Sequence, residues 1–235
     1  MKLGILSDAH GNAEAFQIAI DLLRRHGAER LVFLGDAVGY LPGCDVVDVL
    51  MARDDVLSVA GNHEQMLLSG DVPAELDAIY RLQQTRAAMT PAQFDFVSTW
   101  PTRRALQVAS HELLFVHGSP NDETNGYVYP DTDLSAFTLS TGTAVFMGHT
   151  HRPFVRRSGD VTFVNVGSCG LPRDRGNLGA ACLFDCDSGE AAILRFDITQ
   201  ATARALERCG PIHSAVREVM ARRPKTPVVG ASANA

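Results

Sequence analysis

The sequence predicts an α/β fold, on the basis of two patterns. Strand-like and helix-like segments alternate through the first 63 residues, which is typical of parallel βαβ units. Farther along the chain, strand-like segments flank short turn sequences such as Ser158-Gly159-Asp160, and these predict hairpins and an antiparallel second half. With 235 residues, of which 46% are hydrophobic, the chain is long enough to form a large core.

The N-terminal half is predicted to alternate strands with helices. Asn12 is a candidate N-cap for the first helix, and Gly27 is suited to end it. A later helical stretch is broken at Pro73 and Pro91 and ends before Pro101. The predicted strands cover residues 3–7, 31–34 and 56–60, and the predicted helices cover residues 13–25, 45–52 and most of 64–100.

The C-terminal half is predicted to consist mostly of strands, followed by a long helix. The strands are predicted over residues 104–109, 112–117, 145–148, 155–157, 161–164, 180–185 and 191–196. One helix is expected to start at Asp131 or Thr132 and to reach Leu139, and another to cover residues 200–222. The final residues have no periodicity and contain Pro, Gly and small residues. We therefore predict a single domain over residues 1–222 and a flexible tail over residues 223–235.

Composition and charge argue against several classes of protein. The net charge is −6 and no basic stripe is present, so we expect no nucleic-acid polymer as a partner. No apolar run reaches about 18 residues, so we expect no membrane span, and the strand-like start of the chain predicts no signal peptide. The five cysteines are odd in number and lack a C-x-x-C pair. This pattern favours reduced thiols and a cytoplasmic location, whereas the oligomeric state is not predictable from these features.

Candidate metal ligands follow the ends of several predicted strands. Five of the eight histidines lie in four short fragments, and an aspartate lies in a similar glycine-containing turn. Histidine nitrogen, carboxylate and amide oxygen are ligands for Zn, Mn or Fe. The fragments are Asp8-Ala9-His10, Gly61-Asn62-His63-Glu64, His117-Gly118 and Gly148-His149-Thr150-His151, and the separate turn is Gly35-Asp36.

These fragments are expected to meet at one edge of the fold. In α/β sheets, functional groups lie in loops beyond the carboxyl ends of the strands. If the D-x-H and H-x-H segments stay extended, residues i and i+2 point to the same side, so that both can face one metal pair. So many ligand types after separate strands point to a two-metal hydrolytic centre.

The order of the five motifs resembles the calcineurin-like metallophosphoesterase superfamily. The small bacterial and archaeal members that lack a capping domain have the same motifs in the same order, namely D-x-H, G-D, G-N-H-E, H-G and G-H-T-H. The resemblance spans roughly residues 3–185. It extends to the segment from Asn165 to Asp174, although Val166 stands where those enzymes usually have Pro. The resemblance implies a four-layer α/β/β/α sandwich of two mixed sheets and hydrolysis of phosphate esters.

The resemblance also implies a role for each motif residue. The implied ligands are Asp8, His10 and His151 for a first metal ion, Asn62, His117 and His149 for a second, and Asp36 as the bridge between them. A hydroxide shared by the ions would attack phosphorus in line with the leaving oxygen, which makes Asp36 catalytic. His63 would not bind metal but would donate a hydrogen bond or a proton to the substrate, with Glu64 or another carboxylate orienting it. Asn62 and His63 would both contact the substrate. Two divalent ions are expected, with Mn favoured and Fe, Zn, Co or Ni as alternatives.

The substrate class stays open at this stage. No arginine follows Gly35-Asp36, where protein phosphatases and related dinucleotide hydrolases with a G-N-H-E motif usually carry one, so Arg173 and Arg175 are candidate phosphate clamps. Tyr127 and Tyr129 are expected to pack rather than to stack on substrate. The leading prediction is a hydrolase of small phosphodiesters or phosphomonoesters. The alternatives are a dinucleoside polyphosphate hydrolase and a metal-free protein-binding scaffold of the same fold.

Overall fold

In the part of the chain that the computed structural model describes, residues 1–108 and 111–223, ten strands form two five-stranded sheets. The strands are β1 (Lys2–Leu6), β2 (Arg30–Phe33), β3 (Val56–Ser58), β4 (Arg103–Val108), β5 (His111–Val116), β6 (Thr143–Met147), β7 (Phe154–Ser158), β8 (Val161–Asn165), β9 (Leu178–Asp185) and β10 (Glu190–Asp197). The helices are α1 (Ala13–Arg25), α2 (Asp45–Met51), α3 (Asn62–Ser69), α4 (Ala74–Tyr80), α5 (Leu82–Ala88), α6 (Pro91–Ser98), α7 (Thr199–Cys209) and α8 (Ser214–Met220).

The first sheet has the order β10-β9-β1-β2-β3. β1, β2 and β3 run parallel, joined by α1 and α2, as the βαβ pattern predicts. β9 pairs antiparallel with β1 and with β10. The Asn12 side chain accepts a hydrogen bond from the N–H of Ala15 and caps α1, and Gly27 follows the end of that helix.

The second sheet has the order β4-β5-β6-β8-β7, and it corrects the expectation that the second half is antiparallel. β5 pairs parallel with β6, and β6 pairs parallel with β8; only the edge strands β4 and β7 are antiparallel to their neighbours. The hairpin signals correctly predict β7–β8 and β9–β10. They do not reveal the parallel pairs, which are joined by longer crossovers.

The two sheets pack face to face around a buried core. Alternate residues of β1, Leu3 and Ile5, face Phe115 and Phe146 of the second sheet, whereas Leu6 faces outward onto the helices together with Phe16 of α1. This alternation follows from the two-residue period of a strand. The predicted α/β fold of two mixed sheets flanked by helices is confirmed.

Two predicted helices differ in the structure. Instead of a helix reaching Leu139, there is a single 3-10 turn at Leu134–Ala136. The Asp133 side chain caps its start by accepting a hydrogen bond from the Ser135 N–H, and the turn ends at Phe137, whose backbone is extended. The helix predicted over residues 200–222 is two helices, α7 and α8. Gly210 has a left-handed φ of 69° and Pro211 lacks an N–H donor, so the predicted helix is interrupted at these two residues.

Several expectations stay predictions. Nothing in the described residues tests the single domain over residues 1–222. Residues 224–235 of the predicted tail (223–235) lie outside the described residues, as do Ala109, the last residue of the strand predicted over 104–109, and Ser110 after it. None of the helices in the described ranges is both long and apolar enough to cross a bilayer. The cytoplasmic location expected from cysteine usage likewise stays a prediction.

Candidate metal centre

Loops after five strands bring the predicted ligands together at one edge of the sandwich. Asp8 and His10 follow β1, and Asp36 follows β2. Asn62 and His63 begin α3 shortly after β3, His117 follows β5, and His149 and His151 follow β6. Because β1, β2 and β3 are parallel, as are β5 and β6, these loops leave the sheets at corresponding ends.

The first group of ligand atoms comes from Asp8, His10 and His151. The Nε2 atoms of His10 and His151 lie 3.1 Å apart. Asp8 Oδ1 lies 3.1 Å from His151 Nε2 and 3.6 Å from His10 Nε2. All three side chains are buried, and together they form a group that could hold a metal ion.

The second group is centred on His117. Its Nε2 lies 3.1 Å from His149 Nδ1, 3.2 Å from Asn62 Oδ1 and 3.3 Å from Asp36 Oδ2. Asp36 Oδ2 also lies 3.7 Å from Nε2 of His10 in the first group. The Asp36 carboxylate therefore lies between the two groups.

Three of the histidine rings have Nδ1 towards a backbone carbonyl and Nε2 towards the other candidate ligand atoms. The Nδ1 atoms of His10, His117 and His151 face the backbone carbonyls of Val38, Leu34 and Leu171. Because a carbonyl only accepts, each Nδ1 carries a hydrogen, and the neutral ring has its lone pair on Nε2. A carbonyl that fixes the ring in this way is the usual outer partner of a metal-bound histidine.

Buried polar atoms without a hydrogen-bond partner also favour a cation at this site. Among the described residues, Asp8 Oδ1 and His149 Nε2 are buried without a hydrogen-bond partner. The close approach of lone pairs of His10, His151 and Asp8 is unfavourable unless a positive charge lies between them. The residues present therefore fit a divalent metal site with nitrogen and oxygen ligands.

The backbone at the site is left-handed rather than extended, which corrects the assumption that D-x-H and H-x-H remain strand-like. Five of the seven described non-glycine residues with positive φ are predicted ligands. These five are Asp8, His10, Asp36, His149 and His151, with φ between 48° and 63°. Such strain persists only where surrounding contacts enforce it. The N–H groups of Asp8 and His10 supply such contacts by donating to the carbonyls of Gly35 and Asp36.

The charges of Asp36 and His117 are strongly coupled. Burial alone would raise the pKa of Asp36, but the positive charge of His117 overrides it and holds that pKa well below its usual range. Burial alone would lower the pKa of His117, but the Asp36 carboxylate raises it to about 10. Burial lowers the pKa of His149 and of His151 to about 4. In the metal-free protein at neutral pH, a proton on His117 therefore compensates Asp36.

Glu64 does not orient His63, contrary to one expectation. Its carboxylate instead accepts hydrogen bonds from the N–H groups of Asp36, Ala37 and Gly61 at 2.7–2.8 Å. The role of Glu64 is to hold the turn that carries Asp36. Burial, reinforced by the charge of Asp36, raises the pKa of Glu64 to about 7.

His63 lies beside the predicted ligands, among aromatic rings. Its ring stacks on Tyr40 with 5.1 Å between centroids and is tilted against Tyr80 at 4.6 Å. Its Nδ1 has no hydrogen-bond partner among the described residues, and its Nε2 lies 3.9 Å from Asp36 Oδ2. His63 also forms a ligand-like group with His10 and Asp36, so its assignment as a non-ligand stays a prediction. Burial lowers its pKa to about 3.

Of the two candidate arginines, only Arg173 reaches the site. It lines the small pocket over Asp36 and His63, and its Nη2 donates to the Tyr40 hydroxyl at 2.8 Å. Arg175 is not among the residues that line this pocket, and its predicted contact with substrate stays a prediction without geometric support. Tyr127 lies in the pocket wall, 4.2 Å from the His149 ring, and is half exposed, rather than packed in the interior.

Sequence reasoning missed Tyr40 and Tyr80. Tyr40 lies four residues after Asp36 in the same loop, and its left-handed φ of 64° matches that of the ligands. Position in that loop is the signal that could have revealed it. Tyr80 ends α4, and no local pattern connects it to the centre.

The fold and the clustered nitrogen and oxygen ligands point to a hydrolase of phosphate esters. The family model described as the calcineurin-like phosphoesterase superfamily domain matches residues 1–189. The chain belongs to this superfamily, as the motif order indicates. α7 and α8 follow the matched span.

Two related sequences and one solved structure are similar to the chain. The chain is 25% identical to phosphodiesterase YfcE of Escherichia coli, over 80% of this chain and 89% of that protein. It is 28% identical to a protein of Methanocaldococcus jannaschii described as uncharacterized, over 85% and 89% of the two chains. The fold is similar to a metallophosphoesterase crystal structure from Sphaerobacter thermophilus, with TM-score 0.76, 22% identity and coverage of 94% and 98%.

Proposed function

We propose that the protein is a dinuclear metal-dependent phosphoesterase that hydrolyses small phosphodiesters or phosphomonoesters. The observation that carries this proposal is the position of Asp36 Oδ2, 3.3 Å from Nε2 of His117 and 3.7 Å from Nε2 of His10. One carboxylate is thus within reach of both ligand groups. One ion would be held by Asp8, His10 and His151. The other ion would be held by Asn62, His117 and His149, and Asp36 would bind both ions.

The donor set supports a pair of transition-metal ions. Mixed nitrogen and oxygen ligands suit Mn, Fe, Zn, Co and Ni, and we choose Mn for assays. When bound, two such cations lower the pKa of water and stabilise negative charge on the phosphoryl oxygens.

The chain's own residues supply hydrogen bonds around the reacting phosphate. His63 is neutral near pH 7 and acts as a donor, through Nε2, to the leaving oxygen or a phosphoryl oxygen. Its stacked position against Tyr40 restricts the ring. Asn62 can orient the phosphoryl group from the second ligand group. The Arg173 guanidinium, which lines the same pocket, adds a positive charge with bidentate geometry.

Hydrolysis of two generic esters tests the proposal. Purified protein with Mn is expected to hydrolyse bis(4-nitrophenyl) phosphate, 4-nitrophenyl phosphate or both. His63→Asn should lower kcat by about 10²–10⁴-fold and leave the metal content unchanged, whereas Asp36→Asn should lower both. Absence of turnover of either ester by the metal-loaded protein would contradict the proposal.

Dinucleoside polyphosphate hydrolysis is the second candidate function. A cavity of about 380 Å³ adjoins the small pocket and shares Tyr40, Tyr80 and Arg173 with it. This volume supports substrates larger than a simple monoester. A comparison of a dinucleoside tetraphosphate with the two generic esters distinguishes the candidates by kcat/KM.

A further inference from the structure

The 380 Å³ cavity beside the metal centre carries an unusual concentration of positive charge. Arg152, Arg173 and Arg222 all line it, and none of the described residues that line it is acidic. In the part of the chain that the structure describes, none of these three guanidinium groups forms a salt bridge. By contrast, Arg195 and Arg204 are paired with Asp174 and Glu14.

The hydrogen bonds of these arginines leave their charge uncompensated. Arg173 Nη2 donates to the neutral hydroxyl of Tyr40, and Arg222 Nη1 donates to the Arg173 carbonyl. A tyrosine hydroxyl is neutral near pH 7, so it is not an anionic partner. Three cations around one cavity repel each other, and an anion between them relieves that repulsion.

Two of the arginines that line this cavity are next to a predicted metal ligand, one in sequence and one through a backbone hydrogen bond. Arg152 directly follows the predicted ligand His151, and the Arg173 N–H donates to the His151 carbonyl at 3.2 Å. Arg222 follows α8, whose residue Val216 lies in the cavity wall. A substrate whose reacting phosphate lies at Arg173 could therefore extend its remaining part into the cavity that Arg152 and Arg222 line.

The cavity walls suit a ring-containing group. Tyr40 and Tyr80 separate the cavity from the small pocket, and the half-exposed Tyr129 lies at its rim. Aromatic side chains bind planar rings by stacking. The volume is within the range of small-molecule sites, about 300–1,000 Å³, and is large enough for a nucleotide-sized group.

We propose that this cavity is a subsite for a second phosphate group of the substrate, bound by Arg152 and Arg222. The substrate class is then phosphoesters of nucleotide size whose non-reacting part carries a further phosphate. The catalytic part of this inference rests on the proposed function, but ligand binding to the subsite does not.

Binding of a matched pair of nucleotides tests the subsite without turnover. The probes are thymidine 3′,5′-bisphosphate and thymidine 5′-monophosphate, titrated calorimetrically into the full chain with and without Mn. The bisphosphate is expected to bind at least about tenfold more tightly, because charge-assisted hydrogen bonds are the strong ones. The double variant Arg152→Gln/Arg222→Gln should remove this difference.

Arg217→Gln is the matched control. Arg217 lies on α8, like Val216, but is exposed and does not line this cavity; its variant should keep the full preference for the bisphosphate. Equal affinity of the two probes for the wild-type protein, or an unchanged preference in the double variant, would overturn the subsite.

A kinetic comparison separates failure of the subsite from failure of the proposed function. The substrates are the 4-nitrophenyl esters of thymidine 5′-phosphate with and without a 3′-phosphate. The wild-type protein is expected to show a kcat/KM about tenfold higher for the 3′-phosphorylated ester, and the double variant a ratio near one. Turnover of both esters at equal kcat/KM contradicts the subsite alone. No turnover of either contradicts the proposed function, and the binding data then decide the subsite.

Discussion

The carboxylate of Glu64 accepts a hydrogen bond from the backbone N–H of Asp36 at 2.7 Å. The same oxygen also accepts from the Gly61 N–H at 2.8 Å, so one buried side chain joins the turn after β2 to the start of α3. Asp36 has a left-handed φ of 58°. Glu64 thus helps to hold a strained backbone that aims Asp36 at both ligand groups.

Glu64→Gln is expected to weaken metal binding although Glu64 is not itself a predicted metal ligand. A glutamine amide would face its NH₂ towards backbone N–H donors in either orientation, leaving buried donors unsatisfied at a cost of about 1–3 kcal/mol. Loss of such outer support typically lowers metal affinity about 10–100-fold. Titration of the metal-free protein with Mn measures the effect. Glu75→Gln, at an exposed position of α4, serves as control, and equal affinity of the two variants would refute the assigned role of Glu64.

Gly39→Ala is expected to displace His63 and to leave the ions in place. A Cβ at Gly39 would lie 2.0 Å from His63 Nδ1, and the left-handed φ of 94° adds strain. Turnover should fall by about 10²-fold or more, with unchanged metal content. Gly43→Ala is the matched control in the same loop, because its φ is also positive but nothing lies within 4 Å of the added Cβ. Normal turnover by Gly39→Ala would show that the His63 position is not required.

Metal affinity is expected to rise with pH. In the metal-free protein the Asp36 carboxylate, overriding the effect of burial, raises the pKa of His117 to about 10, so a proton must leave Nε2 before that atom can bind a cation. Below the pKa of His117 the protonated ring predominates, and each increase of one pH unit makes the metal-binding form about tenfold more abundant. As the pH rises from about 7 to 9, the dissociation constant for Mn should therefore fall about tenfold per pH unit. Calorimetry in buffers of different ionisation enthalpy should detect release of about one proton. An affinity independent of pH, without proton release, would argue against this ligand.

The clustering of the candidate ligands was predictable from sequence because each motif follows a strand, and parallel strands bring their carboxyl ends to one edge. Asp8, Asp36 and His117 illustrate this: each follows a different strand by no more than three residues. The left-handed backbone was not predictable, because it depends on hydrogen bonds between loops, such as the Asp8 N–H to the Gly35 carbonyl.

The parallel pairing of β5 with β6 could not be predicted from the sequence, for a different physical reason. A parallel pair requires a long crossover, usually a helix with a recognisable period. The helix predicted up to Leu139 lies in this crossover, but only the 3-10 turn Leu134–Ala136 forms there. The sequence therefore does not show that β5 and β6 run in the same direction. Tyr80 was missed because its contact with His63 depends on how α4 packs, which no local pattern encodes.

Two cations that share Asp36 should be visible by anomalous diffraction from crystals of the Mn-loaded protein. We expect two anomalous peaks on either side of Asp36 Oδ2, one beside Nε2 of His10 and the other beside Nε2 of His117. A single peak, or peaks away from these nitrogens, would show that Asp36 is not shared by two ions.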